Sequence, residues 1–286
     1  MARETRTLTE QPQVNKLLVK GLTGSLRKRG QTKVTALPDR QLRLADHEQQ
    51  VAELADYCRV TGFALRDEVP ATWLHVQTFG LQAYLLAEDD FPFSLAGLVH
   101  VTNTMTQFRP VQVSEKLQLS VHAANLRPHA KGAVFDVVEQ VRVGDELVWQ
   151  GSSNYLAAGA KVPGEVGESV RLAAPEAVPA QQWRLPADLG RQYAAVSGDS
   201  NPIHLYAATA RLFGFPRPII HGMWTHARAL AALGAGLPDS YRVQVQFAKP
   251  ILLPGKVRFT STRAESGWRF AVLNREGKPH LVGELA

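Results

Sequence analysis

Asp199 and His204 lie five positions apart in the stretch Ser197-Gly198-Asp199-Ser200-Asn201-Pro202-Ile203-His204. A carboxylate and an imidazole held in one proline-stiffened turn can face a single small volume. Proton transfer at both ends of a short bond requires that arrangement. Their reference pKa values, roughly 3.9 and 6.5, suit them to be an acid/base pair. Asn201-Pro202 reads as a helix start, because Asn caps and Pro loses nothing at the first helical position. His204 then falls near a helix N-terminus, where the dipole favours a neutral, proton-accepting imidazole. The alternative is a capped turn whose His is merely hydrogen-bonded in place.

Downstream, His221-Gly222-Met223 opens an Ala/Leu-rich helix to about Leu233. A Gly there lets a ligand approach the backbone, and a helix-start N–H can bind a developing oxyanion; close packing is the other explanation. His221 reads as an ordering residue for the loop. His75, His100, His122, His129 and His226 show no partner pattern and read as structural or surface. Asp199, His204 and His221 lack metal-motif spacing, so no metal is expected. Ser197 lacks the Gly-x-Ser-x-Gly context of an attacking hydroxyl.

The elements around these residues occur twice. Tyr57-x-x-Val60-Thr61-Gly62 matches Tyr193-x-x-Val196-Ser197-Gly198, and Gln107-Phe108 echoes Gln246-Phe247. With Pro70 set against Pro218, the front copy lacks about the stretch that carries Asp199 and His204. Each half reads as helices followed by strands. A helix over 47–60 capped by Asp46, with Gln49 at the capping-box position, precedes a strand and a second helix within 71–87. Strands follow at 98–109, 116–126, 132–143 and 146–157. After a linker over 159–180, short helices span about 187–196 and reach Phe213. Strands then come at 241–249, 256–263, 268–274 and 279–285. This is an α+β order in which a bent antiparallel sheet wraps one helix, twice over.

Composition narrows the class. The chain has 286 residues, 45% hydrophobic and 20% charged, with net charge +6. Two halves of ordinary domain size fit that length. Cys58 is the only cysteine, which rules out an intrachain disulfide or a thiolate cluster. No apolar run approaches a membrane span, and no apolar signal core opens the chain, so a cytoplasmic location is expected. The basic cluster Lys16, Lys20, Arg27, Lys28, Arg29 and Lys33 reads as a solvated arm over 1–40, or as a landing site for a phosphate-bearing or acidic partner. No nucleic-acid signature or Gly-rich phosphate loop accompanies it, so no nucleic acid is expected.

The run Ser197-Gly198-Asp199-x-Asn201-Pro202-x-His204, with Phe215 and His221-Gly222-Met223, resembles the MaoC-like (R)-specific enoyl-thioester hydratases and 3-hydroxyacyl-thioester dehydratases. The two-copy layout is similar to the double hot-dog members. The resemblance implies a degenerate, non-catalytic hot-dog domain over 41–158 and a catalytic one over 181–286. It implies reversible hydration and dehydration of a CoA or carrier-protein thioester without a cofactor. Asp199 and His204 would hold the catalytic water, Gly222 would donate its N–H to the thioester oxygen, and Asn201 would orient the turn. Where single-domain relatives can carry a Ser eight residues after the Gly, this chain has Leu230. A shortened front half implies room for a long acyl chain, and pairing of such chains into a homodimer is expected. A hot-dog thioesterase and a non-catalytic thioester-binding subunit are the alternatives.

Overall fold

In the computed structural model, the described residues are 3–14, 17, 34–168, 171–175 and 181–286. The basic cluster Lys16 to Lys33 lies outside them.

In the front half, strand β1 (Glu4–Leu8) and strand β2 (Arg40–His47) precede helix α1 (Val51–Thr61) and helix α2 (Ala71–Ala87). Strands β3 (Leu98–Gln107), β4 (Leu117–His129), β5 (Gly132–Val143) and β6 (Glu146–Ala158) follow. The second half runs β7 (Gln181–Leu185), α3 (Leu189–Ser197), α4 (Ala207–Leu212), α5 (Gly222–Leu233), then β8 (Tyr241–Phe247), β9 (Gly255–Ala264), β10 (Gly267–Leu273) and β11 (Pro279–Leu285).

Among the described residues, one eleven-stranded sheet contains all the strands in the order β1-β2-β4-β5-β6-β3-β8-β11-β10-β9-β7. From either outer end inward, β1 aside, the two runs have the same internal order: first, third, fourth, fifth, second. They join edge to edge at the antiparallel pair β3/β8, where Thr102 faces Gln246 and Gln107 faces Tyr241. Exchanging Gln107 with Gln246 maps that register onto itself, so the Gln-Phe repeat marks a pseudo-two-fold axis. The equivalent helices α1 and α3 pack together there, with the Tyr57 and Tyr193 ring centroids 6.4 Å apart. These findings place the α+β reading on a double hot-dog frame.

Several local expectations give way. Residues 71–87 form one helix with no preceding strand. Thr72, Trp73 and Val76 favour strands in isolation, but this helix is buried on nearly every side, and that packing overrides propensity. The helix expected at 47–60 starts at Val51. Asp46 does not cap it, and instead sits at φ +54 near the end of β2. Gln49 is not a capping residue either. Its amide donates to the Gln112 carbonyl (3.0 Å) and its oxygen accepts from the Trp73 indole (3.0 Å). The arm contains β1, which pairs in parallel with β2 and adds an outer strand to the sheet.

The pairing of Pro70 with Pro218 also shifts. The Val69 N–H donates to the Val111 carbonyl, as the Ile220 N–H donates to Ile251, both at 2.9 Å. Val69 therefore corresponds to Ile220, and Pro70 to His221. On that footing Trp73-Leu74-His75 matches Trp224-Thr225-His226, both steps being 151 residues (224 − 73 and 226 − 75). Tyr57 and Tyr193 differ by 136, so 151 − 136 = 15 residues are inserted between them in the second half.

Candidate active site

The insertion begins where α3 ends. Gly198 takes φ +75 as the left-handed cap, a conformation Gly adopts without steric cost. The chain then turns sharply. The Asp199 N–H donates to Ser197 Oγ (3.2 Å), and the Asn201 N–H donates to Asp199 Oδ1 (3.2 Å). Asn201 Oδ1 accepts from the Ile203 N–H (3.3 Å), so Asn201 caps as expected. The element it opens is a single 3-10 turn, Pro202–His204, rather than a longer helix. Gly190 of α3 lets this turn come close, because a Cβ there would collide with the His204 carbonyl.

His204 is buried, and its Nδ1 lies 2.8 Å from the Ile219 carbonyl. A carbonyl only accepts, so Nδ1 carries the proton and a neutral ring presents the lone pair of Nε2. Burial pushes the His204 pKa down, opposed by the Asp199 charge and the Ile219 hydrogen bond. The neutral imidazole expected from a helix dipole is thus present, but desolvation is its main cause.

His221 stacks on His204 with ring centroids 3.6 Å apart. Its Nε2 donates to the Asp199 backbone carbonyl (2.9 Å), so it holds the turn across the site. Burial and then the neighbouring His204 hold its pKa well below the usual imidazole range. Tyr193 packs tilted against the same ring, with centroids 4.9 Å apart.

One side-chain donor atom from each of Asp199, His204 and His221 lies within 4.8 Å of the others. Those distances alone admit a metal ion. His204 Nδ1 and His221 Nε2 are each committed to a backbone carbonyl, which leaves His204 Nε2 and the buried His221 Nδ1 as their remaining lone pairs. Among the described residues three donors converge, fewer than the four of a closed zinc site and as many as an open catalytic one uses.

Gly222 is the first residue of α5, where N–H groups have no partner within the helix. A Cβ at this position would sit 2.9 Å from Phe247 Cε1. Close packing and an available N–H therefore coexist at Gly222. Leu230 is fully buried in the core.

Asp199, Asn201, His204 and Gly222 all line one cavity of about 520 Å³. The front half supplies another part of its wall, including Phe79, Leu98, Val99 and three polar residues, His75, His100 and Tyr155. Sequence reading gave the two histidines no site role. The Trp-x-His repeat at a spacing of 151 is the signal that would have paired His75 with a residue of the active-site helix.

A family model described as MaoC like domain matches residues 163–278. The chain is 36% identical over 251 residues to 3-hydroxyacyl-thioester dehydratase X of Mycobacterium tuberculosis, covering 87% of this chain and 90% of the relative. The crystal structure of that HtdX protein superposes with a TM-score of 0.76 at 35% identity, covering 86% of this chain and 99% of the other. A MaoC-like dehydratase from Phytophthora capsici shares the fold at 18% identity, with a TM-score of 0.69 over 86% of this chain and 93% of its own. Sequence and fold agree over most of the chain: it belongs to the MaoC-like dehydratase family.

Proposed function

We propose that the protein is a hydro-lyase that interconverts an (R)-3-hydroxyacyl thioester and the trans-2-enoyl thioester plus water. The observation that carries this is the convergence of Asp199, the Nε2 edge of His204 and the first turn of α5 on one cavity, in a chain of this family. In dehydration a base takes the C2 proton while charge builds on the thioester oxygen. The Gly222 N–H stabilises that charge. The C3 hydroxyl then leaves with a proton from the second group. Both transfers occur on one face of the substrate, so the elimination is syn. Asp199 and His204 are the acid/base pair, and Asn201 positions the turn that carries them. Hydration is the reverse through the same groups.

On this reading residues 181–286 carry the chemistry and 41–158 form the degenerate partner, with 159–180 joining them. The acyl chain runs from Asp199 toward Leu98 and Val99 of the front half. Each buried methylene is worth about 0.8 kcal/mol. The thioester is carried by CoA or by an acyl carrier protein, and the phosphate end lies against basic surface such as Lys249 at the cavity wall. Among the described residues no helix is long and apolar enough to cross a membrane. A cytoplasmic enzyme acting as a homodimer of such chains remains the reading.

A panel of enoyl-CoA substrates from four carbons upward, followed by loss of enoyl absorbance, tests the reaction. Hydration with kcat/KM rising with chain length supports it. Release of free thiol without hydration would instead identify a thioesterase.

A further inference from the structure

The two left-handed glycines that end α1 and α3 are covered by different parts of the chain. Over Gly62, the cap of α1, lies the side chain of Arg228 from α5, and a Cβ on Gly62 would collide with its guanidinium. That guanidinium also stands over the Trp183 ring, 5.2 Å from the centroid. The residue of α2 that corresponds to Arg228 is Gln77 (228 − 77 = 151). By the pseudo-symmetry, Gln77 should cover Gly198, the cap of α3. It does not: Gln77 Oε1 is engaged with His47 Nε2 at 2.6 Å, and no atom of Gln77 lies within 4 Å of where a Cβ on Gly198 would stand.

The N-terminal arm takes that place. It starts as β1 on the outer edge of the front half, where Arg6 pairs with Glu88 (2.9 Å), and then crosses α2. Gln11 Nε2 donates to the Gln77 carbonyl at 2.7 Å. Gly80 makes room for the crossing, since a Cβ there would lie 2.7 Å from Gln11 Oε1 and 3.4 Å from the Pro12 carbonyl oxygen. Val14 then reaches the second half. Apart from the chain neighbours of Gly198, Val14 Cγ2 is the one heavy atom among the described residues that a Cβ on Gly198 would meet within 4 Å, at 3.7 Å. The next residue is Asp199, whose side chain is 28% exposed while His204 is buried. One hold on this turn is the His221 bond to the Asp199 carbonyl, and Val14 is a second.

We propose that residues 11–14 are a positioning strap: the arm of the front half presses on the turn at Gly198 and Asp199, and so fixes where the Asp199 carboxylate stands relative to His204. For its effect on turnover the inference rests on the proposed hydro-lyase site. A loop that carries a reacting group works only if neighbouring residues lock it within a fraction of an ångström, and the exposed member of the pair is the one that needs such support. At Gly62, where no reacting group follows, a side chain of the frame itself fills the space. At Gly198 the filling comes from a segment anchored on α2 and β2, which ties the catalytic turn of one half to the edge of the other.

Full-length variants test the strap from two sides. Val14→Gly removes the contact, whereas Gly80→Leu fills the crossing point and lifts the arm while leaving arm and turn sequences intact. In each, hydrogen exchange read by mass spectrometry should speed up in peptides covering 198–204 and stay unchanged in α5. Each should also lower kcat for enoyl-CoA hydration about 10-fold with KM within about two-fold, because a misplaced acid or base weakens the transition state and not substrate binding. Val14→Ile, which keeps the branched contact, should restore both readouts. A lower Tm with wild-type kcat and unchanged exchange at 198–204 would overturn the proposal, since the arm would then only stabilise the fold. Faster exchange with wild-type kcat would overturn it too, because the turn could move without cost. The wild type keeps the two readings apart. Hydration by the wild type with no exchange response in either variant sinks the strap alone. An exchange response in a protein inactive on every enoyl-CoA sinks the hydro-lyase reading, and the contact between arm and turn stands.

Discussion

The two connections that lead into the central helices are the most instructive pair of regions in the molecule. Both leave a short helix through a left-handed glycine, Gly62 at φ +88 and Gly198 at φ +75. Both re-enter the frame by matching backbone hydrogen bonds, from Val69 to Val111 and from Ile220 to Ile251. Between those fixed points the front half uses 69 − 62 = 7 steps and the second half 220 − 198 = 22. The extra 15 residues include Asp199, Asn201 and His204. On the proposed mechanism, chemistry is placed in a loop on one copy of a frame whose other copy does without it. That is where function concentrates when a rigid scaffold fixes the loop ends.

The sharpest break of the comparison is by mutation on its two sides. Asp199→Asn and His204→Ala should each lower turnover about 10²- to 10⁴-fold, the usual worth of a positioned acid or base, with thermal unfolding little changed. Asp67→Asn, in the exposed short connection, should leave turnover within about two-fold. Steady-state kinetics on one enoyl-CoA decides it: equal losses on both sides would mean that the insertion is not what distinguishes the halves.

The helix starts give a second, smaller contrast. Ala71 of α2 corresponds to Gly222 of α5, so a Cβ is accommodated at one and presses on Phe247 at the other. Gly222→Ala should reduce kcat by roughly 10- to 100-fold through misalignment of the first-turn N–H. A wild-type kcat in this variant would remove the N–H from the mechanism.

The pH response sharpens the picture further. His204 has its pKa lowered by burial, so the acid limb of the kcat/KM profile should lie below pH 6.5. His100 and His226 are each pushed down to about 3 by burial. Their folded values are depressed, so the unfolded chain binds more protons between about pH 6.5 and 3. Stability should be full above 6.5 and fall as pH drops through that window, by up to about 1.4 kcal/mol per pH unit for each such group. Tm measured from pH 7 to 4 checks the sign; a constant Tm would mean that these rings are not neutral in the interior.

The smallest effect compares the twin tryptophans. Trp73 donates to the Gln49 side chain and Trp224 to the Val60 carbonyl. Trp73→Phe should cost about 1–3 kcal/mol by orphaning a buried amide oxygen, besides lost packing. Denaturant unfolding gives the value, and a neutral result would show that Gln49 finds another partner.

Much of this was legible in the sequence because it was local. Asn201-Pro202 and the strand runs between 98 and 157 each act through their own backbone. The Tyr-x-x-Val and Gln-Phe repeats carried the symmetry. What escaped depended on distant contacts. Helix α2 reads as a strand at its start until a sheet closes around it. His75 reads as an isolated residue until Glu139, 64 positions away, is brought to 2.7 Å. The strands Glu4–Leu8 and Gln181–Leu185 were missed because short edge segments carry polar residues that mask the strand period.

Those edges set a limit on growth. Joining β3 to β8 uses the one long, matching edge that each unit possesses. What is left outermost is two five-residue strands, β1 and β7, whose sequences Glu-Thr-Arg-Thr-Leu and Gln-Gln-Trp-Arg-Leu carry charges and amides. Short polar edges are poor templates for further strand addition. Among the described residues the duplicated unit thus behaves like a polymer capped at two, its sheet ending on both sides in poor templates, which favours faces over sheet extension for any larger assembly.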